Sequence, residues 1–359
     1  MPAIRSLPGL VFGLLLAIGN SAFAQQFSGQ VVTLLVNYPA GGPTDIEARI
    51  IAKYLPKYVD GVGSIIVRNI GGAGGRIGVN QLGESSAKDW LNISFFTWNP
   101  VDQIVGEPTL KVRFNDLKFI TGFRTPTLLY MRRDTPPGIT KPADVAKARL
   151  FRAGALAPTS HGTLRQRLAL DLLGAKFETI AAYKGLGDVQ VAVRQGDIHL
   201  TNISLPSWSA SVKPQLVDTG IVLPVLQYGS LRPEGAAGRS PDLPDVPTFL
   251  EVYKEIRGKD AMPSGEKWQA LQMLTHIMDS MYRTVFMPPN APAPAVEEMR
   301  ASFEKLGKDA EFVADYEKVV KTKPRFIPGA EGERIISELL GKVSPAFVSF
   351  LRTYIAATK

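Results

Sequence analysis

The chain has no cysteine among its 359 residues and only three histidines, His161, His199 and His276. Disulfides, a cysteine-borne lipid anchor and a closed Cys/His zinc site are thereby excluded. The histidines are scattered and no G-x-S-x-G elbow occurs, so the common nucleophile–base arrangements are missing. Ser160 beside His161 is no dyad, because adjacent side chains rarely face each other productively. Carboxylates are spread along the chain and form no acid/base pair. Lysine and arginine outnumber aspartate and glutamate by 41 to 33, yet no dense basic run appears, which argues against nucleic acid. Repeats and low-complexity tracts are absent, which disfavours a cell-wall or structural protein. Beyond the first residues no apolar run is long enough to span a bilayer. No catalytic residue, metal site or cofactor is therefore expected.

The first residues read as a secretory signal. Arg5 supplies the positive region, and Leu7 to Ile18 is an apolar stretch too short to span a membrane well. Ala22-Phe23-Ala24 is an A-x-A cleavage site, so the mature chain is expected to begin at Gln25, with residues 1–24 removed. An uncleaved membrane anchor is the alternative. Loss of Arg5 reduces the formal charge of +8 to +7, a balance that suits an anionic small molecule or simply solubility. An exported chain of this size without disulfides fits a bacterial periplasm, where a large core supplies the stability. Its length allows two domains.

Strand-like and helix-like runs alternate. The apolar runs are Val31–Val36, Ile65–Val67, Ile93–Phe96, Leu128–Met131, Thr179–Tyr183, Ile198–Asn202 and Ile221–Leu226. Helical patterns lie at Asp45–Leu55, Thr163–Leu173 and Gly187–Gln195. They dominate after Phe286, at Ala295–Leu306, Glu311–Val320, Gly332–Leu340 and Pro345–Ile355. This alternation predicts an α/β fold with mostly parallel sheets.

Four loops carry the chemistry. Tyr38-Pro39-Ala40-Gly41-Gly42-Pro43-Thr44-Asp45 joins the first strand to a helix. Thr44 and Glu47 read as a capping box that starts the helix at Asp45. Glycines admit a ligand close to backbone N–H groups, and the helix end carries partial positive charge, so an anion could sit here. The same loop could equally be a tight turn that binds nothing. Asn69 to Gly78 holds a loose G-x-G-x-x-x-G, a poor dinucleotide signal and more simply a turn packed on the first loop. Ala157 to Thr163 leads into an amphipathic helix; its hydroxyls and N–H groups could point at a ligand above the helix end, or Ser160 or Thr163 could be an ordinary cap, and His161 could reach a ligand but reads more simply as an exposed loop residue. Tyr183 to Asp188 is of the same kind, with Lys184 facing either an anion or solvent. Asn99 could bond a carboxylate or orient its own loop. Trp98 and Trp208 could line a cleft or fill the core.

These residues resemble a known family, the substrate-binding proteins of tripartite tricarboxylate transporters, or Bug proteins. The matching stretches are Tyr38 to Asp45 with Ala48-Arg49, Asn69 to Gly78, and Ala182 to Gly185 with Gly196-Asp197. Leu243 to Phe249 with Glu251 and Met287 to Pro292 complete the set. The resemblance runs from about residue 30 to the C-terminus. It implies a type II periplasmic-binding fold: two α/β domains joined by two crossover strands, with a ligand cleft between them. The crossovers would fall near Leu128–Met131 and Thr284–Met287. Residues 25–127 plus 285–359 would form one domain and 128–284 the other.

The resemblance also implies a site and a function. A sheet order beginning 2-1-3 would put the loops after strands one and three at the switch point, where ligands bind. A small carboxylate would be held by Tyr38, Ala40, Gly41, Gly42, Thr44 and Asp45, with Trp98 and Asn99 beside them. The facing domain would offer Ser160, His161, Gly162, Thr163, Tyr183, Gly185, Asn202 and Ser204. Gly74 and Gly75 would back the first loop without touching the ligand. The protein would act as a monomer that closes on an organic acid and delivers it transiently to membrane permease subunits. A sensory partner of a signalling system and an exported α/β hydrolase are the competing readings. The chain departs from the family where Thr163 to Leu168 lacks a histidine; Arg165 or Arg167 could stand in for it, or both could be surface residues. Glu255 to Met281 is longer than usual and could remodel the cleft rim or an interface.

Overall fold

The computed structural model describes residues 26–85, 90–231, 237–341 and 343–357. The expected signal segment and its cleavage site lie outside the described residues. Two sheets organise the chain. The first has the order β13-β4-β12-β3-β1-β2 and is built from β1 (Val31–Val36), β2 (Ser64–Asn69), β3 (Asn92–Thr97), β4 (Lys118–Phe123), β12 (Arg283–Met287) and β13 (Phe326–Ile327). The second has the order β7-β6-β8-β5-β9, from β5 (Thr127–Arg132), β6 (Phe151–Gly154), β7 (Phe177–Ile180), β8 (Leu200–Ser204) and β9 (Val222–Gln227). A short ladder, β10 (Ser230–Leu231) with β11 (Ala237–Gly238), stands apart. β1 runs parallel to β2 and β3, while β12 is antiparallel to β3 and β4. The anticipated 2-1-3 start of the first sheet is thus present, and the fold is the two-lobed α/β arrangement.

The helices follow in chain order. They are α1 (Pro43–Tyr54), α2 (Arg76–Gly83), α3 (Val101–Val105), α4 (His161–Leu173), α5 (Leu186–Gln195), α6 (Leu205–Ser207), α7 (Phe249–Arg257), α8 (Glu266–Ser280), α9 (Ala293–Leu306), α10 (Ala310–Val320), α11 (Gly329–Gly341) and α12 (Pro345–Ala356). α6 continues into a π-helix, Trp208–Val217. α1, α9 and α10 cover one face of the first sheet through Ala48, Ile51, Met299, Phe303 and Phe312. α4 and α7 cover one face of the second sheet through Leu164, Leu168, Phe249 and Val252.

Several elements differ from expectation for physical reasons. β4 and β6 were not anticipated; β6 is only four residues long and carries Arg152, which breaks its apolar pattern. The run at Thr179–Tyr183 leaves the sheet after Ile180. The capping box expected at Thr44 and Glu47 does not form. Gly42 is the N-cap and Pro43 opens α1, so its missing N–H costs nothing there. A capping box does start α7, where Thr248 Oγ1 accepts from Glu251 N at 3.2 Å and Glu251 Oε2 from Thr248 N at 2.6 Å.

The long stretch Glu255 to Met281 becomes a link between the two cores. The first half of α8 buries Ala270, Leu271 and Leu274 against the second sheet's cluster. Its end buries Ile277 and Met278, followed by Met281, against the first sheet's cluster. α12 also packs Leu351 and Tyr354 into the second sheet's cluster, beside Val101 and Val105 of α3. Between β4 and β5 only residues 124–126 connect the sheets.

Candidate functional site

A cavity of about 40 Å³ lies between the two sheets, lined from both sides. That volume holds a few waters. Three helix N-termini converge on it. Gly42, Pro43 and Thr44 belong to α1, Ser160 to Thr163 to α4, and Gly185 to Asp188 to α5. None of the three helices carries a side-chain cap. Their first-turn N–H groups therefore lack partners within the helix and add their partial positive charge to the cavity.

Sequence explains the convergence. Each helix follows a parallel strand whose end faces the crevice, and each entry turn is small. At Gly185 a β-carbon would come within 2.9 Å of Pro39 Cδ on the opposite lobe. At Gly74 it would meet Ala157 Cβ and Ser160 Oγ, both at 2.8 Å. Glycine is required at both places because the lobes touch there.

One buried arginine, paired with a carboxylate, stands in the cavity wall. Arg283 is 1 % exposed and lines the cavity. Its Nε donates to Glu47 Oε2 at 2.7 Å, Nη1 to Thr97 Oγ1 at 2.7 Å and Nη2 to Ser204 Oγ at 3.3 Å. Thr97 Oγ1 also meets Thr44 Oγ1 at 2.8 Å, tying the first helix turn to β3. His161 is buried against Tyr282, with ring centroids 5.3 Å apart and edges crossed. Burial, then the charges of Arg165 and Arg283, hold its imidazole well below the usual histidine range, so it is neutral at pH 7.

No family model matches the chain. A UPF0065 protein of Agrobacterium vitis, from the TAR-I ttuE-ttuC' intergenic region, is 26% identical over 287 residues, which is 77% of this chain and 71% of that protein. Among solved structures, the periplasmic binding protein BugD is 18% identical with a TM-score of 0.67, over 90% of this chain and 97% of its own. MatC from Rhodopseudomonas palustris, solved with bound malate, is 18% identical with a TM-score of 0.64, over 90% and 98%. A second R. palustris protein, solved with adipate, is 21% identical with a TM-score of 0.65, over 90% and 97%. At these identities the structural likeness speaks for the fold.

Against that fold, the expected site residues divide. Tyr38, Ala40, Gly42, Thr44, Ser160, His161, Gly162, Thr163, Gly185 and Asn202 line the cavity together. Gly41 does not, and its N–H is spent on Asp45 Oδ2 at 2.8 Å. Burial alone would raise the Asp45 carboxyl's pKa, but Arg49, the Gly41 N–H and Asn69 bring it below the usual range. That carboxylate therefore occupies one of the N–H donors the first loop was expected to offer. The Tyr38 hydroxyl is likewise committed, to Gly74 O at 2.8 Å, so Tyr38 contributes its ring. Gly75 backs Asn37, where a β-carbon would lie 2.6 Å from Nδ2. The glycine turn packs on the first loop as anticipated, with Gly71 against Pro39.

Other expectations are corrected. Trp98 is fully buried in the first sheet's core, edge-on to Phe114, and does not line this cavity. Trp208 packs on Tyr130 in the second. Asn99 binds across the lobes: its Oδ1 accepts from His161 N at 2.9 Å and its Nδ2 donates to Asp102 Oδ2 at 2.9 Å. Tyr183 is half-buried outside the cavity and Lys184 is exposed. Ser204 stands behind Arg283 as its acceptor. His161 is buried, not exposed, and Ser160 Oγ caps nothing. Arg165 and Arg167 are both buried. Sequence reasoning missed Arg283, Tyr282 and Leu156; it named the loops that hold Thr97 and Leu186 to Asp188 without choosing those residues. A lone arginine opening the otherwise apolar run Thr284 to Met287 was the available signal.

Proposed function

We propose that the protein is an exported, periplasmic solute-binding protein that closes its two lobes on a small organic acid. The observation that carries this reading is the meeting of three uncapped helix N-termini and a buried arginine in one interlobe cavity. Such a site favours a carboxylate over neutral solutes. Hydrogen bonds to a charged acceptor contribute about 1.5–3 kcal/mol each, so a few suffice for micromolar affinity. The related proteins solved with malate and adipate are consistent with an acid as ligand.

The finer elements follow from the resemblance. Residues 25–127 plus 285–359 and residues 128–284 are the two domains, except that β12 already enters the first sheet at Arg283 and α12 returns to pack on the second. Cleavage after Ala24 releases a monomer, which hands its ligand to permease subunits of a tripartite tricarboxylate-type transporter. Among the described residues no helix is long and apolar enough to cross a membrane, and no cluster of acidic or histidine side chains could hold a metal. The site as described offers binding groups and no nucleophile–base pair, so we read it as non-enzymatic.

Thermal unfolding of the protein from Gln25 onward, with a panel of organic acids, sugars and amides, tests the reading. A ligand at 100 times its Kd adds about 2.7 kcal/mol. Stabilisation by one class of acids supports it. Stabilisation by neutral sugars alone, or turnover of an acid derivative, contradicts it.

A further inference from the structure

A second arginine near the cleft has no counter-charge. Arg165, in the second turn of α4, is 1 % exposed. Its Nη2 donates to Thr127 Oγ1 at 2.9 Å, and its guanidinium carbon lies 4.3 Å from the centre of the Tyr228 ring. Nε and Nη1 have no partner in the protein. Arg283 has Glu47 and Arg76 has Asp102; among the described residues no carboxylate pairs with Arg165.

This is a costly arrangement. A buried cation is tolerated when it is paired and its donors are satisfied. The Tyr228 ring face offsets part of the charge, but it gives Nε–H and Nη1–H no lone pair to bond. The helix adds to the problem, since a cation near the N-terminal end opposes the dipole. The neighbouring polar atoms are also unpartnered. They are the Tyr228 hydroxyl and His161 Nδ1, one turn earlier on α4. His161 lines the cavity, so unpartnered groups run from the cleft wall inward to the guanidinium.

We propose that Arg165 is the cation of a buried anion subsite, reached from the cleft past His161, that takes a carboxylate. The subsite sits where Thr127 opens β5, Tyr228 follows β9 and Tyr282 precedes β12, so parting of the lobes gives access to it. The carboxylate is either a second acid group on the cleft ligand or a free small acid such as acetate. The first case rests on the reading of the cleft as an acid-binding site; the second does not.

The test compares the wild type with Arg165→Met, using glutarate against butyrate by calorimetry, and acetate by thermal unfolding at constant ionic strength. If the ligand supplies the carboxylate, the wild type prefers the diacid by about tenfold or more, and the variant binds both acids alike. If a free acid supplies it, acetate raises the wild-type unfolding temperature saturably and leaves the variant unmoved. In buffer free of carboxylates the variant unfolds no lower than the wild type, because an uncompensated charge has been removed; a merely structural arginine would show a drop. Equal acetate response and equal diacid preference in the two proteins would overturn the proposal. Arg165→Gln serves the same comparison should the methionine variant not fold. A wild type with neither an acetate response nor a diacid preference also overturns it. Butyrate binding together with a diacid preference and an acetate response that do not depend on Arg165 refutes the subsite and leaves the cleft reading intact. An Arg165-dependent acetate response with no acid bound in the cleft does the reverse.

Discussion

Arg283 Nε and Glu47 Oε2 lie 2.7 Å apart, with side-chain exposures of 1% and 0%. The pair joins the first residue of β12 to the first turns of α1, and Tyr316 OH donates to the other Glu47 oxygen at 2.8 Å. Removing either partner leaves the other charged and dry. Glu47→Gln and Arg283→Met should therefore each destabilise the fold by about 3–5 kcal/mol, read by urea unfolding. The double variant should lose much less than the sum. Single losses below about 1 kcal/mol would show that the pair is not a structural keystone.

Asn99 holds the lobes together. It takes the His161 N–H and donates to Asp102, while Arg76 Nη1 reaches Thr159 Oγ1 at 2.8 Å and Asp102 Oδ1 at 3.0 Å. Asn99→Ala breaks the link without touching the first loop. We expect a shift toward the open form, seen as a larger radius of gyration in solution scattering, and about tenfold weaker acid binding. Unchanged scattering and affinity together would refute this role.

Gly185 is the point where closure is tightest. With φ near −160° it needs no glycine for its backbone; only the contact with Pro39 demands one. Gly185→Val should wedge the cleft open, abolish ligand stabilisation and change the unfolding temperature of the free protein little. Retained binding would mean that the lobes need not close as described.

His161 gives a pH dependence of known sign. Burial first, then Arg165 and Arg283, disfavour its protonated form in the fold, whereas the unfolded chain takes up a proton near pH 6.5. Stability from this residue is complete above about pH 6.5 and is lost as pH falls below it, at up to about 1.4 kcal/mol per unit. His199 shifts in the same direction, so the comparison must be between wild type and His161→Gln. The variant should show a shallower fall in unfolding temperature between about pH 6.5 and 5. Parallel curves would contradict the buried, neutral assignment.

Much of the fold was legible because periodicity reports burial. Val31–Val36 has the same bounds as strand and as apolar run, and most helices lie within a few residues of their patterns. What escaped was set by tertiary context. Trp98 reads as a cleft aromatic next to Asn99, but β3 has helices on both faces and buries it. Thr44 and Glu47 have capping-box spacing, yet Thr97 and Arg283 offer them stronger partners. The glycine loops were legible as close approaches. That Asp45 would consume the Gly41 N–H was not, because the pattern does not say which acceptor a turn will prefer.

The central claim is that the cleft recognises a carboxylate by its charge. Calorimetric titration of the tightest acid found, beside its primary amide of the same shape, tests this most directly. The account predicts that the amide binds at least about tenfold more weakly and that Gly185→Val binds neither. Equal affinity for acid and amide would contradict it.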